Sequence, residues 1–249
     1  MNYQILQIPP TIEPVPIDYT GELQTLNLIL DGIEYSQKEQ RKYTLDESLR
    51  TTPWIAWQLG CLAELFANQM NYDQAVAIAT VSLDAAFKCG DVTRIYANLL
   101  TAAGIMVRMN DFDGAEEFYI TILGMPIQGK SIERTIAHLS LGSIYAMKGN
   151  LRRAVYHKEK ALPQIKSLAS EDILLKVFDE LGYLYSEILD LAGIIFIVIE
   201  QQKHSEDDVI SRFSVPDLSL EQVLLLVTRL SSLGKHELGE RIINLWKKT

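Results

Sequence analysis

Apolar residues in this chain recur three and four positions apart, in stretches broken at regular distances by Asn, Asp or Gly. From Thr20 to Lys42, Leu23, Leu26, Leu30 and Ile33 form one helical stripe, and the far end, Gln37 to Lys42, is polar all round. Thr44 with Glu47 offers a capping box, and Thr52-Pro53 places an N-cap before a proline at the first helical position. From there the helical pattern runs to the end of the chain. It is interrupted at Met70-Asn71-Tyr72, Asn110-Asp111-Phe112, Gly149-Asn150-Leu151, Leu189-Asp190-Leu191 and Gly234-Lys235-His236. Gly or Asn in such turns tolerates the left-handed backbone needed to reverse a helix.

The residue that follows each turn sets the period. Ala75, Ala115, Ala154, Ile194 and Gly239 stand 40, 39, 40 and 45 positions apart. Each unit is therefore an apolar helix, a turn and a second apolar helix, with a small residue letting the second helix approach the first. Gly90-Asp91, Gln128 to Ser131 and Leu168 to Ser170 read as linkers, with Ser170 as an N-cap before Glu171 and Asp172. The longer acidic segment His204 to Leu218, with Pro216, accounts for the stretched last interval.

The residues at the joints resemble the tetratricopeptide repeat, whose unit orders Trp, Leu-Gly, Tyr, Ala, Phe and Pro along a helix-turn-helix. Leu141, Gly142, Tyr145, Ala154, Ala161 and Leu162 carry the match, and Leu181, Gly182 and Tyr185 repeat its first half. Ala63, Phe66, Tyr72, Ala75 and Leu83 make a third copy, and Ala103, Met106, Phe112, Ala115, Tyr119 and Leu123 a fourth. The likeness covers roughly Thr52 to Gln202, and Leu220 to Lys248 is a degenerate fifth unit. The interval near 40 exceeds the family's usual 34, no Trp fills the first position, and the closing Pro is absent or displaced. In length the unit is similar to the extended repeats of polarity adaptors, kinesin light chains and peptide-pheromone receptors.

This resemblance implies an all-α fold, a right-handed superhelical solenoid of antiparallel helix pairs. The expected organisation is a proline-rich arm over 1–19, a capping helix and linker over 20–51, repeats over 52–203, and an acidic linker with a terminal cap over 204–249. It also implies a concave binding wall on the first helix of each unit. Carried over, that wall includes Trp57, Gly60, Glu64, Ala67 and Asn68, then Ala97, Leu100, Gly104, Val107 and Arg108. Ile136, Leu139, Ser143, Ala146 and Met147 follow, then Lys176, Asp179, Tyr183, Ser186 and Glu187. We take Trp57, Asn68, Leu100, Val107, Arg108, Ile136, Leu139, Ser143, Met147 and Tyr183 as the partner-binding set. Gly60, Glu64, Leu100 and Gly104 supply no Lys, Asn and Arg clamp for a terminal carboxylate, as the family's chaperone-tail binders have. The apolar middle suits an amphipathic helix or an apolar strap. The chain's own arm or terminal helix is the alternative occupant.

Composition narrows the function further. With 23 basic and 32 acidic residues, the chain carries a net charge of -9, which argues against nucleic acid as a partner. Cys61 and Cys89 are the only cysteines and form no disulfide framework or CxxC, so a reducing, cytoplasmic setting is the expectation. Met1 to Ile8 has no basic residue and no apolar core long enough for a secretory signal. Ile188 to Ile199 is too short to cross a bilayer, contains Asp190, and reads as a buried helix. Pro9, Pro10, Pro14 and Pro16 make residues 1 to 19 extended, as a loose arm or as a strap laid across the fold.

Candidate chemistry is sparse. His204 beside Glu206, Asp207 and Asp208 reads as a solvated acidic loop rather than a metal site. Arg152, Arg153, His157, Lys158 and Lys160 read as a solvated basic helix face. No phosphate loop, HExxH or GxSxG occurs, and Cys61 reads as inert packing. The expectation is a protein–protein interaction scaffold, an adaptor or assembly factor with no cofactor and no metal, and not an enzyme. A peptide sensor that changes superhelical pitch is the alternative. The apolar terminal unit, with Leu224, Leu225, Leu226, Leu230, Ile242, Ile243 and Trp246, leaves room for a homodimer.

Overall fold

Five helix reversals share one hydrogen-bonding pattern, and that pattern sets the architecture. In a computed structural model, the residues at the turn positions Met70, Asn110, Gly149, Leu189 and Gly234 all have positive φ. The following residue donates its N–H back five positions: Asn71 to Phe66 O, Asp111 to Met106 O, Asn150 to Tyr145 O, Asp190 to Tyr185 O and Lys235 to Leu230 O. This is the Schellman closure, which satisfies carbonyls that a helix end leaves without partners. Gly or Asn was expected in these turns, yet Met70 and Leu189 take the left-handed position in two of the five.

The structure describes residues 20–39, 41, 53–126, 131–168, 171–202, 205–206 and 218–247. The arm over 1–19, the capping box at Thr44, the cap Thr52, the linker glycine Gly129, the cap Ser170 and most of the acidic segment 204–217 lie outside them. Among the described residues there are eleven helices and no strand. They are α1 (Thr20–Lys38), α2 (Pro53–Asn68), α3 (Tyr72–Cys89), α4 (Val92–Arg108), α5 (Phe112–Gly124) and α6 (Ile132–Met147). After them come α7 (Leu151–Leu168), α8 (Glu171–Glu187), α9 (Leu191–Gln202), α10 (Leu220–Ser232) and α11 (His236–Trp246). Ile188 to Ile199 is not one buried helix: Leu189 and Asp190 break it, and Asp190 Oδ1 accepts from Gly193 N at 3.1 Å to cap α9.

Helices pack in adjacent pairs, the arrangement of a helical solenoid. The chain divides into two compact units between Leu141 and Gly142, inside α6. In the first unit α2 packs on α3, α3 on α4 and α4 on α5, while α2 also meets α4 and α1 rests on α2 and α3. Ile55, Leu59, Ala63, Ile78, Ala85, Leu99, Ala103, Tyr119 and Ile122 fill its core. In the second unit α7 packs on α8, α8 on α9 and α10 on both α9 and α11. Its terminal core is Ala192, Ile195, Val223, Leu226, Leu230, Leu238 and Ile242. No described helix is long and apolar enough to cross a membrane.

The small residues after the turns behave as the pattern predicts in three units, where Ala75, Ala115 and Ala154 are fully buried. In the fourth unit the close approach falls one residue earlier. Ile194 is half-buried, and it is Gly193 whose missing side chain makes room for the Tyr185 ring.

Candidate functional site

The expected binding residues of the first unit lie along α2 and α4, which touch directly because α3 runs behind both. Two arginines of α4 reach across to α2. Near the start of both helices the Arg94 guanidinium lies over the Trp57 ring, 5.7 Å from its centroid. One stripe further along, Arg108 Nη1 donates to Asn68 Oδ1 at 2.8 Å and Nη2 stands 3.6 Å from Glu64 Oε1. Between them Leu100 is half-buried, and a Cβ built on Gly104 would meet no atom of the described residues within 4 Å. Fourteen residues of helix separate the two arginines, so the wall is about 21 Å long. Val107 adds little to it, being only 8% exposed.

A polar joint behind the wall fixes the register of α2 against α4. Ser82 Oγ donates to Ala56 O at 2.7 Å, and Asn98 Nδ2 donates to Ala56 O at 3.3 Å and Ser82 O at 3.2 Å. Ser82 and Asn98 are buried, and in such a place an amide is tolerated only with its partners supplied. Asn98 Oδ1 sits where a side chain on Gly60 would be, so Gly60 is a packing position. Gly60 and Ala67 are both buried and do not face a ligand, although the carried-over spacing put them on the wall.

On α6, Ile136 and Leu139 are half-buried and Met147 is 39% exposed. Ser143 accepts a hydrogen bond at 3.2 Å from Lys158 Nζ. Tyr183 on α8 is 42% exposed. The structure thus brings Trp57, Asn68, Leu100 and Arg108 together on one wall. It carries Ile136, Leu139, Ser143 and Met147 along one helix.

Several polar residues that organise the second unit were not singled out by the sequence pattern. Lys158, expected on a solvated basic face, is 1% exposed, and its ammonium pairs with Glu180 and donates to Ser143. Arg229 on α10 holds Glu159 of α7 with two donors and Asp190 with Nε at 2.8 Å, while Tyr185 OH donates to Glu159 Oε1 at 2.6 Å. Burial, then the Glu159 charge and hydrogen bond, push the Tyr185 phenol far up and keep it a donor. Burial opposes the Arg229 charge, but Glu159 and Asp190 outweigh it and hold the guanidinium more firmly protonated than usual. Burial likewise opposes the Glu200 charge, yet hydrogen bonds from Lys166 and Lys235 bring its carboxyl below the ordinary range. These groups are joined to one another within the second unit, and they build the fold.

The remaining candidates carry no visible chemistry. Cys61 is exposed rather than packed inside, but the helix surface around it and then Glu64 push its thiol up, away from a reactive thiolate. The His157 ring lies tilted against Tyr145 at 5.3 Å and edge-on to Tyr156 at 5.2 Å. Among the described residues no three His, Cys, Asp or Glu side chains gather where a metal ion could be held.

No family model and no curated protein matches the chain. Among solved structures it is similar to the crystal structure of BtubC (BKLC) from P. vanneervenii, with a TM-score of 0.51 and 17% identity, covering 92% of this chain and 91% of that one. At this identity the likeness speaks for the helical fold alone.

Proposed function

We propose that this chain is a tetratricopeptide-type interaction scaffold, an adaptor or assembly factor in the cytoplasm that holds a protein or peptide segment on the face of its first-unit helices. It acts by binding and not by catalysis. The observation that carries this reading is the wall of α2 and α4. Half-buried Leu100 lies beside the open space over Gly104, between two arginine-to-α2 contacts. A polar-rimmed apolar strip of that kind fits a short segment laid along it. The joints Leu141-Gly142, Tyr145, Leu181 and Tyr185 support the repeat type and are all buried, while Gly182 is half-buried.

Gly104 gives a clean test. A Cβ there meets no described atom within 4 Å, so Gly104→Tyr is placed to block the wall. Peptides selected from a displayed random library by the wild-type protein are expected to lose binding to Gly104→Tyr at unchanged thermal stability. Equal binding to both proteins removes the wall from consideration. A homodimer through the terminal pair is a second reading, favoured by exposed Leu220, Leu224 and Leu225 on α10. Sedimentation at two concentrations tests it, with Leu224→Asp expected to return any dimer to monomer.

A further inference from the structure

We infer that Arg94, held on the Trp57 ring, is the point at which the wall takes a carboxylate from its bound segment. This rests on the reading of the wall as a peptide site and adds the chemistry it selects. The chain has more acids than bases, and three of its buried or half-buried cations are neutralised internally. Arg108 has Glu64 and Asn68, Lys158 has Glu180, and Arg229 has Glu159 and Asp190. Arg94 is different. No acidic side chain among the described residues stands within ion-pair distance of it, and its Nε is sealed from solvent with no hydrogen-bond partner.

A guanidinium in that state is incomplete. Held over an indole it gains a cation–π contact, which uses the ring face and makes no hydrogen bond to the guanidinium edge. Trp57 also restricts the side chain, so less freedom is lost when a ligand arrives. A carboxylate matches the planar fork with two parallel bonds, which a neutral amide cannot do as well. The neighbouring strip at Leu100 and Gly104 accepts apolar side chains. The selected segment is therefore acidic at one point and apolar beyond it. It fits within a wall of about 21 Å, on the order of six extended residues.

The experiment selects peptides from one displayed random library on the full-length wild type, on Arg94→Gln and on Gly104→Tyr. Wild-type pools are expected to enrich Asp or Glu at one fixed distance from an apolar pair. Arg94→Gln pools should keep the apolar pair and lose the acid. A selected peptide with its acid changed to the amide should bind the wild type about tenfold more weakly and Arg94→Gln no differently. Arg94→Lys, which keeps charge but not the planar fork, should fall between. Comparing free-acid and amidated peptides separates a terminal carboxylate from a side chain, and either source upholds the role of Arg94. Acid enrichment that persists in Arg94→Gln, or is absent from the wild type, overturns the assignment and leaves the wall. Peptides that bind Gly104→Tyr equally, or no peptides from any bait, overturn the wall and the assignment together. If Arg94 serves only to pack on Trp57, the glutamine variant lowers thermal stability and leaves acid selection unchanged.

Discussion

Gly142 sits where the tetratricopeptide pattern has its Leu-Gly pair, and the residue it makes room for is Lys158. A Cβ at 142 would stand 2.6 Å from Lys158 Cγ and 3.2 Å from the backbone oxygen of Ala154. The lysine stem cannot move freely, because its ammonium is fixed by Glu180 and Ser143 and the whole side chain is 1% exposed. Gly142→Ala should therefore destabilise by about 1–3 kcal/mol, the usual cost of overpacking. Against that, alanine is favoured over glycine in a helix by about 1 kcal/mol. Removing the stem should reverse the balance. Lys158→Ala is itself costly, by about 2–5 kcal/mol for the lost stem and cavity, but in that background Gly142→Ala should be close to neutral. The expected coupling is on the order of 2 kcal/mol, large for neighbouring side chains and easily measured. Urea unfolding followed by Trp246 in a background lacking Trp54 and Trp57 confines the signal to the second unit. Trp246 Nε1 donates to Leu218 O at 2.9 Å, so its emission reports the terminal packing. An equal cost of Gly142→Ala with and without Lys158 refutes the reasoning and shifts the cause to the Ala154 carbonyl.

Leu189 is 86% exposed at φ 55°, so Leu189→Gly loses no packing. Relief of a left-handed cost of about 1–2 kcal/mol, less about 0.5–1 for glycine's freedom when unfolded, should stabilise by about 0.5–1 kcal/mol in the same urea assay. Tyr96 has a buried hydroxyl with no partner among the described residues, so Tyr96→Phe should raise stability by about 1 kcal/mol, and a loss of that size would reveal an unseen partner. Glu200 has a carboxyl held below its ordinary value, so its stabilisation is present above the unfolded value of about 4.3 and is lost as pH falls through the folded one. The gap between wild type and Glu200→Gln, on the order of 1 kcal/mol, should be constant above about pH 5 and close in more acid solution. A gap that widens on acidification contradicts the assigned partners Lys166 and Lys235.

The fold was legible because its governing feature is local. A turn every 40 positions, closed by a hydrogen bond that spans five residues, needs nothing from elsewhere in the chain. Hence Asn110, Gly149 and Gly234 announce it by residue type. Met70 and Leu189 do not, because the turn tolerates a modest backbone cost and the helices on either side impose it. The small positions were legible in kind and less so in reason. Ala75, Ala115 and Ala154 are small because a helix lies against them. Gly60, Gly142 and Gly193 are small because one particular side chain does: Asn98, Lys158 or Tyr185. No spacing rule names that side chain, which arrives from another helix 8 to 38 residues away.

The binding wall depends even more on such arrivals. Trp57, Asn68, Leu100 and Arg108 could be placed by register, since α2 and α4 present the same stripe in successive units. Arg94 could not, because its character lies in what fails to reach it. Along the sequence it is one of 23 basic residues, close to Asp91 and indistinguishable from a capped helix start. In space Asp91 Oδ1 accepts from the Arg94 backbone N–H, and no acidic side chain among the described residues pairs with the guanidinium. The same scaffold closes Arg108, Lys158 and Arg229 with carboxylates. A guanidinium with no acidic partner among the described residues, held over a tryptophan and beside Leu100 and Gly104, is an electrostatic vacancy that a ligand can fill.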